Sequence, residues 1–190
     1  GQGYDISPAS GLPSLSYPIE VPPGRAGLEP QLALQYHAGE GAGVLGLGWS
    51  LGLPAIERST RTGIPRYDGT DAWTLHGLGG GEELIEVEPG LYRERIEQGP
   101  PILARDLVGA GLSAVAVDGT GYLFGLTQDA RLARDGDIFR LELSAITDVH
   151  GNRLDFQYAH NPGSDAPLLA AIIYNDGHAA VRFEYEPRPD

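Results

Sequence analysis

The run Phe139-Arg140-Leu141-Glu142-Leu143, followed after Gly151-Asn152 by Arg153-Leu154-Asp155-Phe156-Gln157-Tyr158, decides the fold. Apolar residues recur at every second position in both runs. Successive side chains of an extended chain point to opposite faces, so each run offers one apolar and one wetted face. That is the pattern of an antiparallel sheet packed on one side. Working outward, Val181, Phe183 and Tyr185 alternate in the same way with Arg182, Glu184 and Glu186. Toward the N-terminus, Leu15, Tyr17, Ile19 and Val21 form one such run, and Leu32, Leu34 and Tyr36 another.

Turn residues separate these runs at short intervals: Asp68-Gly69, Gly79-Gly80-Gly81, Asp118-Gly119, Asp135-Gly136, Gly151-Asn152 and Asn175-Asp176-Gly177. Such pairs supply the positive φ that tight hairpins need. From Val115 onward the chain reads as a meander with strands over 115–117, 122–126, 138–143, 153–158, 168–174 and 179–186. Helix signals are scarce. The best candidate is Pro100 to Leu112, with Ile102, Leu103, Leu107 and Val108, which Gly109 and Gly111 close early. At most one short helix fits there, and an extended segment fits as well. The expectation is an all-β fold, an antiparallel meander of β-hairpins curving into a sheet, with residues 1–190 as one domain.

Composition narrows the possible functions. The 190 residues include 28 Gly and 15 Pro, well above average usage, yet 41% are hydrophobic, enough for a core. A chain of this length buries roughly 70% of its unfolded surface. There is no Cys, hence no disulfide framework and no Cys-based zinc site. All 13 basic residues are Arg, and 26 acidic residues bring the net charge to −13. This charge, with no basic cluster, argues against binding a phosphate backbone. No apolar run approaches the roughly 18 residues of a membrane span. A Gly-Gln-Gly start with no Met points to a processed piece of a longer chain that carries no signal peptide in this segment.

Several motifs look chemical. Gly41-Ala42-Gly43-Val44-Leu45-Gly46 fits the dinucleotide fingerprint, and Gly48-Trp49-Ser50-Leu51-Gly52 fits the nucleophile elbow. Both mechanisms require a helix to begin at the motif, and Gly48, Gly52 and Pro54 deny it. Glu86/Glu88 and Glu184/Glu186 pair carboxylates two residues apart, as one solvated strand face also does. Arg58-Ser59-Thr60 has no nicotinamide-pocket context. The five His residues, at 37, 76, 150, 160 and 178, lack paired metal spacing. Asp135 and Asp137 are too few for a calcium loop. No catalytic, cofactor or metal set is expected.

The most informative residues are the chemically plain ones. Pro22-Pro23-Gly24-Arg25-Ala26-Gly27-Leu28-Glu29-Pro30 leads into Leu32-Ala33-Leu34-Gln35-Tyr36. Then come Gly46-Leu47-Gly48-Trp49-Ser50-Leu51, Ile56-Glu57-Arg58-Ser59-Thr60 and Gly63-Ile64-Pro65-Arg66-Tyr67-Asp68-Gly69-Thr70-Asp71. Later segments are Tyr92-Arg93-Glu94-Arg95-Ile96-Glu97, Asp118-Gly119-Thr120-Gly121-Tyr122, 146–154 and 181–188. Together and in this order they resemble the N-terminal domain shared by the Salmonella virulence plasmid protein (SpvB) family and the B components of bacterial Tc insecticidal toxins. The resemblance covers nearly the whole chain. One departure is the strand around Ala114–Val117, which lacks an aromatic residue the family would have.

The resemblance implies a structural role in a secreted toxin. In the Tc family the B component, joined by a C component, forms a hollow shell of Rhs-type strands around a toxic enzyme, and a β-propeller meets the translocation channel. In SpvB-like proteins the ADP-ribosyltransferase is a separate C-terminal domain, so no catalytic residue carries over. Expected partners are the remainder of the same toxin chain and a C-type component, with no nucleic acid and no membrane span. Gly24, Arg25, Gly27, Gly46, Gly48, Trp49, Arg58, Asp68, Gly151 and Asn152 are expected to be structural. Trp49 would plug a sheet junction, and Arg25 or Arg58 would pair with a carboxylate. The alternative from another class is a carbohydrate- or surface-binding β-domain presenting Trp73, Tyr67 and Tyr92. An enzyme would instead require Ser50 or Glu186 in a pocket with partners.

Overall fold

Strand ladders make up nearly all the regular structure in the computed structural model, which describes residues 3–6, 13–38, 42–43, 45–78, 83–95, 100–161 and 164–186. The turn expected at Gly79–Gly81, Gly41 and Val44 of the glycine loop, and Ile96-Glu97 lie outside these residues. The strands are β1 (Gly3–Ile6), β2 (Pro13–Ile19), β3 (Leu32–His37), β4 (Ala42–Gly43), β5 (Gly46–Leu47), β6 (Trp49–Ser50), β7 (Ala55–Arg58), β8 (Trp73–His76) and β9 (Glu83–Glu88). They continue as β10 (Leu91–Glu94), β11 (Leu103–Asp106), β12 (Leu112–Val115), β13 (Gly121–Phe124), β14 (Arg131–Arg134), β15 (Asp137–Thr147), β16 (Arg153–His160), β17 (Pro167–Tyr174) and β18 (Ala179–Arg182). Among the described residues the helical pieces are two single 3-10 turns, Arg25–Gly27 and Gln128–Ala130. The fold is all-β and antiparallel, as the alternation requires.

The Pro100–Leu112 segment is a hairpin, not a helix. β11 pairs with β12 in the register Leu103↔Val115 to Asp106↔Leu112. Leu103, Ala104 and Leu112 have strand partners, and Leu107 to Gly111 form the turn between the two strands.

The meander closes on itself. β13, β12, β11, β10, β9, β8, β7 and β15 are paired in that order, and β13 pairs again with β15, giving a closed eight-stranded antiparallel barrel. Closure depends on the length of β15, which runs for 11 residues. On one edge its first half pairs with β14 and its second half with β13. On the other edge Arg140–Glu142 pairs with β7, and Ala145–Thr147 pairs with β16. One strand is therefore both the barrel seam and the root of a second layer, β16-β17-β18. The ladder shifts between Leu123 and Phe124, which face Ala145 and Leu143, so Ser144 is the extra residue of a bulge. Its hydroxyl accepts the Leu126 N–H at 3.0 Å, which satisfies a buried polar group.

Inward-facing residues fill the barrel. Leu141, Ile56 and Leu75 are register neighbours across β15, β7 and β8, and all are buried. Phe124 and Leu143 oppose each other and are fully buried. β17 departs from one-sided packing. Leu169, Ile172 and Tyr174 are buried, but so are Leu168 and Ala171 on the opposite face. A strand covered on both faces reads as continuously apolar, not alternating. Val21, Leu28, Leu51, Leu53 and Phe183 pack against the same core. The N-terminal strands β1-β2-β3-β6 form a separate four-stranded sheet, and β4-β5 a two-stranded one. No helix in the described residues is long and apolar enough to cross a membrane.

Candidate functional site

The alternation along Ala55-Ile56-Glu57-Arg58 puts Ile56 and Arg58 on the barrel's inner face and Glu57 outside. Arg58 ends β7 opposite Trp73, so its guanidinium lies at the barrel's mouth. The guanidinium carbon is 4.3 Å from the centroid of the Trp73 ring and 5.4 Å from that of Tyr67, both cation–π distances. Its Nε donates to the Ile138 carbonyl at 3.2 Å, and Nη1 lies 3.6 Å from Asp71 Oδ2. Asp71 in turn orders the loop by accepting the Arg66 N–H at 2.9 Å and the Tyr67 N–H at 2.7 Å.

Two cavities meet at this mouth. A smaller one of about 170 Å³ lies among Arg58, Trp73, Tyr92, Asp106, Leu112 and Ile138. A wider one of about 540 Å³ continues past Asp71, Glu83, Glu86 and Arg95. Glu86 accepts the Gly90 N–H at 2.8 Å, and Arg95 lies 3.1 Å from Glu83. Burial pushes the Tyr92 hydroxyl up from its ordinary range, and the negative charges of Glu86 and Asp106 push it further. The Arg58 charge opposes this rise.

A second polar cluster covers the outside of the β7–β15 seam. Glu57 lies 3.1 Å from both His76 Nε2 and Arg140 Nη1, and Arg140 Nε donates to Glu142 at 2.8 Å. The His76 contact lowers the Glu57 carboxyl; burial opposes this, and Arg140 adds to the lowering. Tyr158 donates to the Leu143 carbonyl at 2.9 Å, and burial raises its hydroxyl well above the usual range. Glu57, His76, Arg140 and Glu142 pair with one another, and Tyr158 is held by a backbone carbonyl.

The ten residues expected to be structural do not converge. The Gly24 Cα sits so close to the Leu28 carbonyl that a side chain would collide with backbone. Arg25 pairs with Asp176 at 2.6 Å, and Gly27 ends the same corner at φ +81°. Gly46 lies in β5, and Gly48 sits at φ +77° under Tyr36. Trp49 is half-buried on the four-stranded sheet, its ring 5.2 Å from Tyr36 and 6.3 Å from Tyr17. Asp68 accepts the Thr70 N–H at 3.0 Å, and Gly151-Asn152 form a turn held by Asp148, which accepts the Asn152 N–H at 2.9 Å. Only Arg58 reaches the mouth. Ser50 faces Gln35 across a strand pair, and Glu186 is exposed beyond β18. Among the described residues no histidine bonds to Ser50, and no group of three His, Asp or Glu is placed to hold a metal ion. Trp73, Tyr67 and Tyr92 do gather at the mouth, but Arg58 lies across the faces of the first two. Sequence reasoning missed Asp71 and Asp106; a lone Asp in a polar stretch gives no signal of where the barrel will carry it.

Fold and surface together define an antiparallel β-barrel module with a second sheet rooted on its seam strand. The family described as Salmonella virulence plasmid 65kDa B protein, SpvB, matches residues 7–98 of the chain. Over 88 residues the chain is 39% identical to the mono(ADP-ribosyl)transferase SpvB of Salmonella choleraesuis strain SC-B67, and 38% identical to that of Salmonella typhimurium strain 14028s. The match takes in 46% of the chain but only 14% of those relatives' length. The fold is also that of a chain in the crystal structure of TcdB2-TccC3-TEV, with a TM-score of 0.74 and 23% identity over 92% of this chain and 10% of that one. In the Photorhabdus luminescens Tc holotoxin pore the TM-score is 0.70 at 22% identity, again over 92% of this chain and 10% of that one. Against the N-terminal domain of the effector protein SpvB from Salmonella typhimurium LT2 it is 0.68 at 21% identity, covering 84% of this chain and 62% of that one.

Proposed function

We propose that residues 1–190 act as one non-catalytic wall module of a secreted bacterial toxin of the SpvB and Tc B-component type. The module contributes strands to a β-shell around or beside a toxic effector. The observation that carries this reading is the barrel whose seam strand also roots an open second sheet, a fold shared over 92% of the chain with TcdB2-TccC3 assemblies. An open sheet edge has unpaired N–H and C=O groups that neighbouring strands can satisfy. The chain's partners are then the remainder of a longer toxin chain, with Rhs-type strands and a β-propeller, and a C-type component. Gly24, Arg25, Gly27, Gly46, Gly48, Trp49, Arg58, Asp68, Gly151 and Asn152 serve the wall as corner, turn and packing residues.

The test is deletion of this segment from the full-length toxin that carries it. Loss of assembly with the C-type component, with an effector that becomes protease-sensitive while keeping its activity in solution, is the expected result. A deletion protein that still assembles and still shields its effector overturns the reading. For the carbohydrate-binding alternative with Trp73, Tyr67 and Tyr92, Arg58 already lies against the rings of Trp73 and Tyr67, which reduces the bare aromatic surface a sugar needs.

A further inference from the structure

β18 ends the second layer, and its outer edge pairs with no strand among the described residues. The Phe183 N–H extends the β17 ladder by donating to the Ala170 carbonyl at 3.0 Å, in phase with the register Ala171↔Arg182 to Tyr174↔Ala179. Backbone groups of successive strand residues point to opposite edges. Those of Ala179, Val181 and Phe183 therefore face β17, while those of Ala180 and Arg182 face outward, and Glu184 follows in the same phase. The side chains sort likewise. Ala179, Val181 and Phe183 pack against the core, whereas Ala180, Arg182 and Glu184 are exposed. Neither Arg182 nor Glu184 has an ion pair among the described residues.

This stretch is complementary to itself. Laid against an antiparallel copy with a two-fold axis at Phe183, it sets Arg182 opposite Glu184, Phe183 opposite Phe183 and Val181 opposite Tyr185. Arg182 and Glu184 then fall at a hydrogen-bonded position, about 5.5 Å apart at Cα, and the Phe183 pair at the closer position, about 4.5 Å apart. Opposite charges and aromatic pairs directly across a ladder stabilise it, and like charges weaken it. An axis one residue to either side opposes Arg182 to Arg182 or Glu184 to Glu184. One at Val181 leaves Arg182 opposite Ala180. β14, which pairs only with β15 among the described residues, lacks such a register: Arg131 and Arg134 stand at its two ends, so antiparallel copies meet Arg to Arg.

We propose that the β18 edge pairs with the β18 edge of a second copy of this chain, antiparallel about a two-fold axis at Phe183. The outward N–H and C=O groups of Arg182 in each copy meet those of Glu184 in the other, and the second layers of the two copies join into one sheet. Charge complementarity selects this occupant and this register, because each copy supplies one unpaired cation and one unpaired anion at matching positions. The contact is narrow, well below the roughly 1,200 Å² of a stable interface, so the dimer is weak and forms only as concentration rises. The net charge of −13 on each copy opposes approach, but salt at physiological strength screens it beyond about 8 Å. The inference is independent of the wall-module role, since it uses only the free edge of this chain.

The experiment follows the 190-residue chain by sedimentation equilibrium in physiological salt, from about 5 μM to about 1 mM, a range that covers weak association. A monomer–dimer equilibrium is expected, with hydrogen exchange at the Arg182 and Glu184 amides slowing as concentration rises. Arg182→Glu and Glu184→Arg, each checked for an unchanged melting profile, should weaken dimerisation at least about tenfold, because each sets like charges opposite one another twice. Glu184→Arg does so although it lowers the net negative charge. An equimolar mixture of the two variants restores both opposite-charge contacts and should dimerise within about threefold of the natural chain. Arg134→Glu, on β14, should change dimerisation less than about twofold. A chain that stays monomeric to the highest concentration overturns the proposal. So does a dimer indifferent to Arg182→Glu, equal weakening by Arg134→Glu, or a mixture that fails to recover.

Discussion

Arg25 and Asp176 meet at 2.6 Å across 151 residues of chain, joining the proline-rich corner after β2 to the turn between β17 and β18. The pair itself is largely exposed, 62% and 71% at the two side chains, so water and salt screen it. The strength of the junction lies beside it. The Arg25 N–H donates to Asn175 Oδ1 at 2.7 Å, Asn175 Nδ2 donates to the Pro23 carbonyl at 3.2 Å, and the buried Tyr174 hydroxyl donates to the Pro22 carbonyl at 2.9 Å. Asp176→Ala should therefore cost less than about 1 kcal/mol. Asn175→Ala removes two hydrogen bonds and forces Ala to φ +54°, and should cost about 2 kcal/mol. Denaturant unfolding of the two variants checks the order; a larger loss from Asp176→Ala would contradict it.

Glu57 gives the barrel seam an acid dependence. Its folded carboxyl is lowered, first by His76 and then, against the cost of burial, by Arg140. A lowered folded value means that the charged form stabilises the protein at pH above the ordinary carboxyl value of 4.5, and that this stabilisation fades as pH falls through the lower folded value. Glu57→Gln should thus be less stable than the natural chain at neutral pH, and the two stability curves should merge in acid. A gap that stays constant throughout the acid range would refute the assignment.

The four-stranded sheet carries a cluster of tilted aromatic rings, Tyr17, Tyr36 and Trp49, with Tyr36 lying over a glycine. A Cβ on Gly48 would lie 2.7 Å from the Tyr36 ring and 2.9 Å from the His37 carbonyl, at φ +77°. Gly48→Ala should cost at least about 2 kcal/mol from strain and displacement of the ring. Trp49→Ala, which removes the half-buried partner of Tyr36 and Tyr17, should cost about 1 to 2 kcal/mol. If Trp49→Ala changed unfolding by much less than 1 kcal/mol, its expected anchoring role would fail.

Inside the barrel, Leu143→Ala should be the most damaging of these substitutions, about 3 to 4 kcal/mol, because a fully buried side chain opposite Phe124 leaves a cavity. Leu103→Ala, on the outer face and 48% exposed, should cost under about 1 kcal/mol. Equal losses would mean that the inner and outer faces of the barrel wall are wrongly assigned.

The sequence by itself determined the class of local structure. Alternation at 139–143 and 153–158 and the glycine turns were enough for hairpins, because a one-residue change of register would turn every apolar side chain to water. Arg58 and Asp68 stood out in the ordered motifs, and Trp73, Tyr67 and Tyr92 as aromatic candidates. Only the tertiary structure decided that the meander closes, since period-two alternation names a face but not the strand that pairs along each edge. It also settled Pro100–Leu112 as a hairpin, where weak helical spacing gave way to pairing between β11 and β12. The mouth has the same origin. Arg58, the neighbouring Asp71 and Trp73, and Asp106 come from three stretches of chain, and closure of the ladder at β15 brings them to one rim.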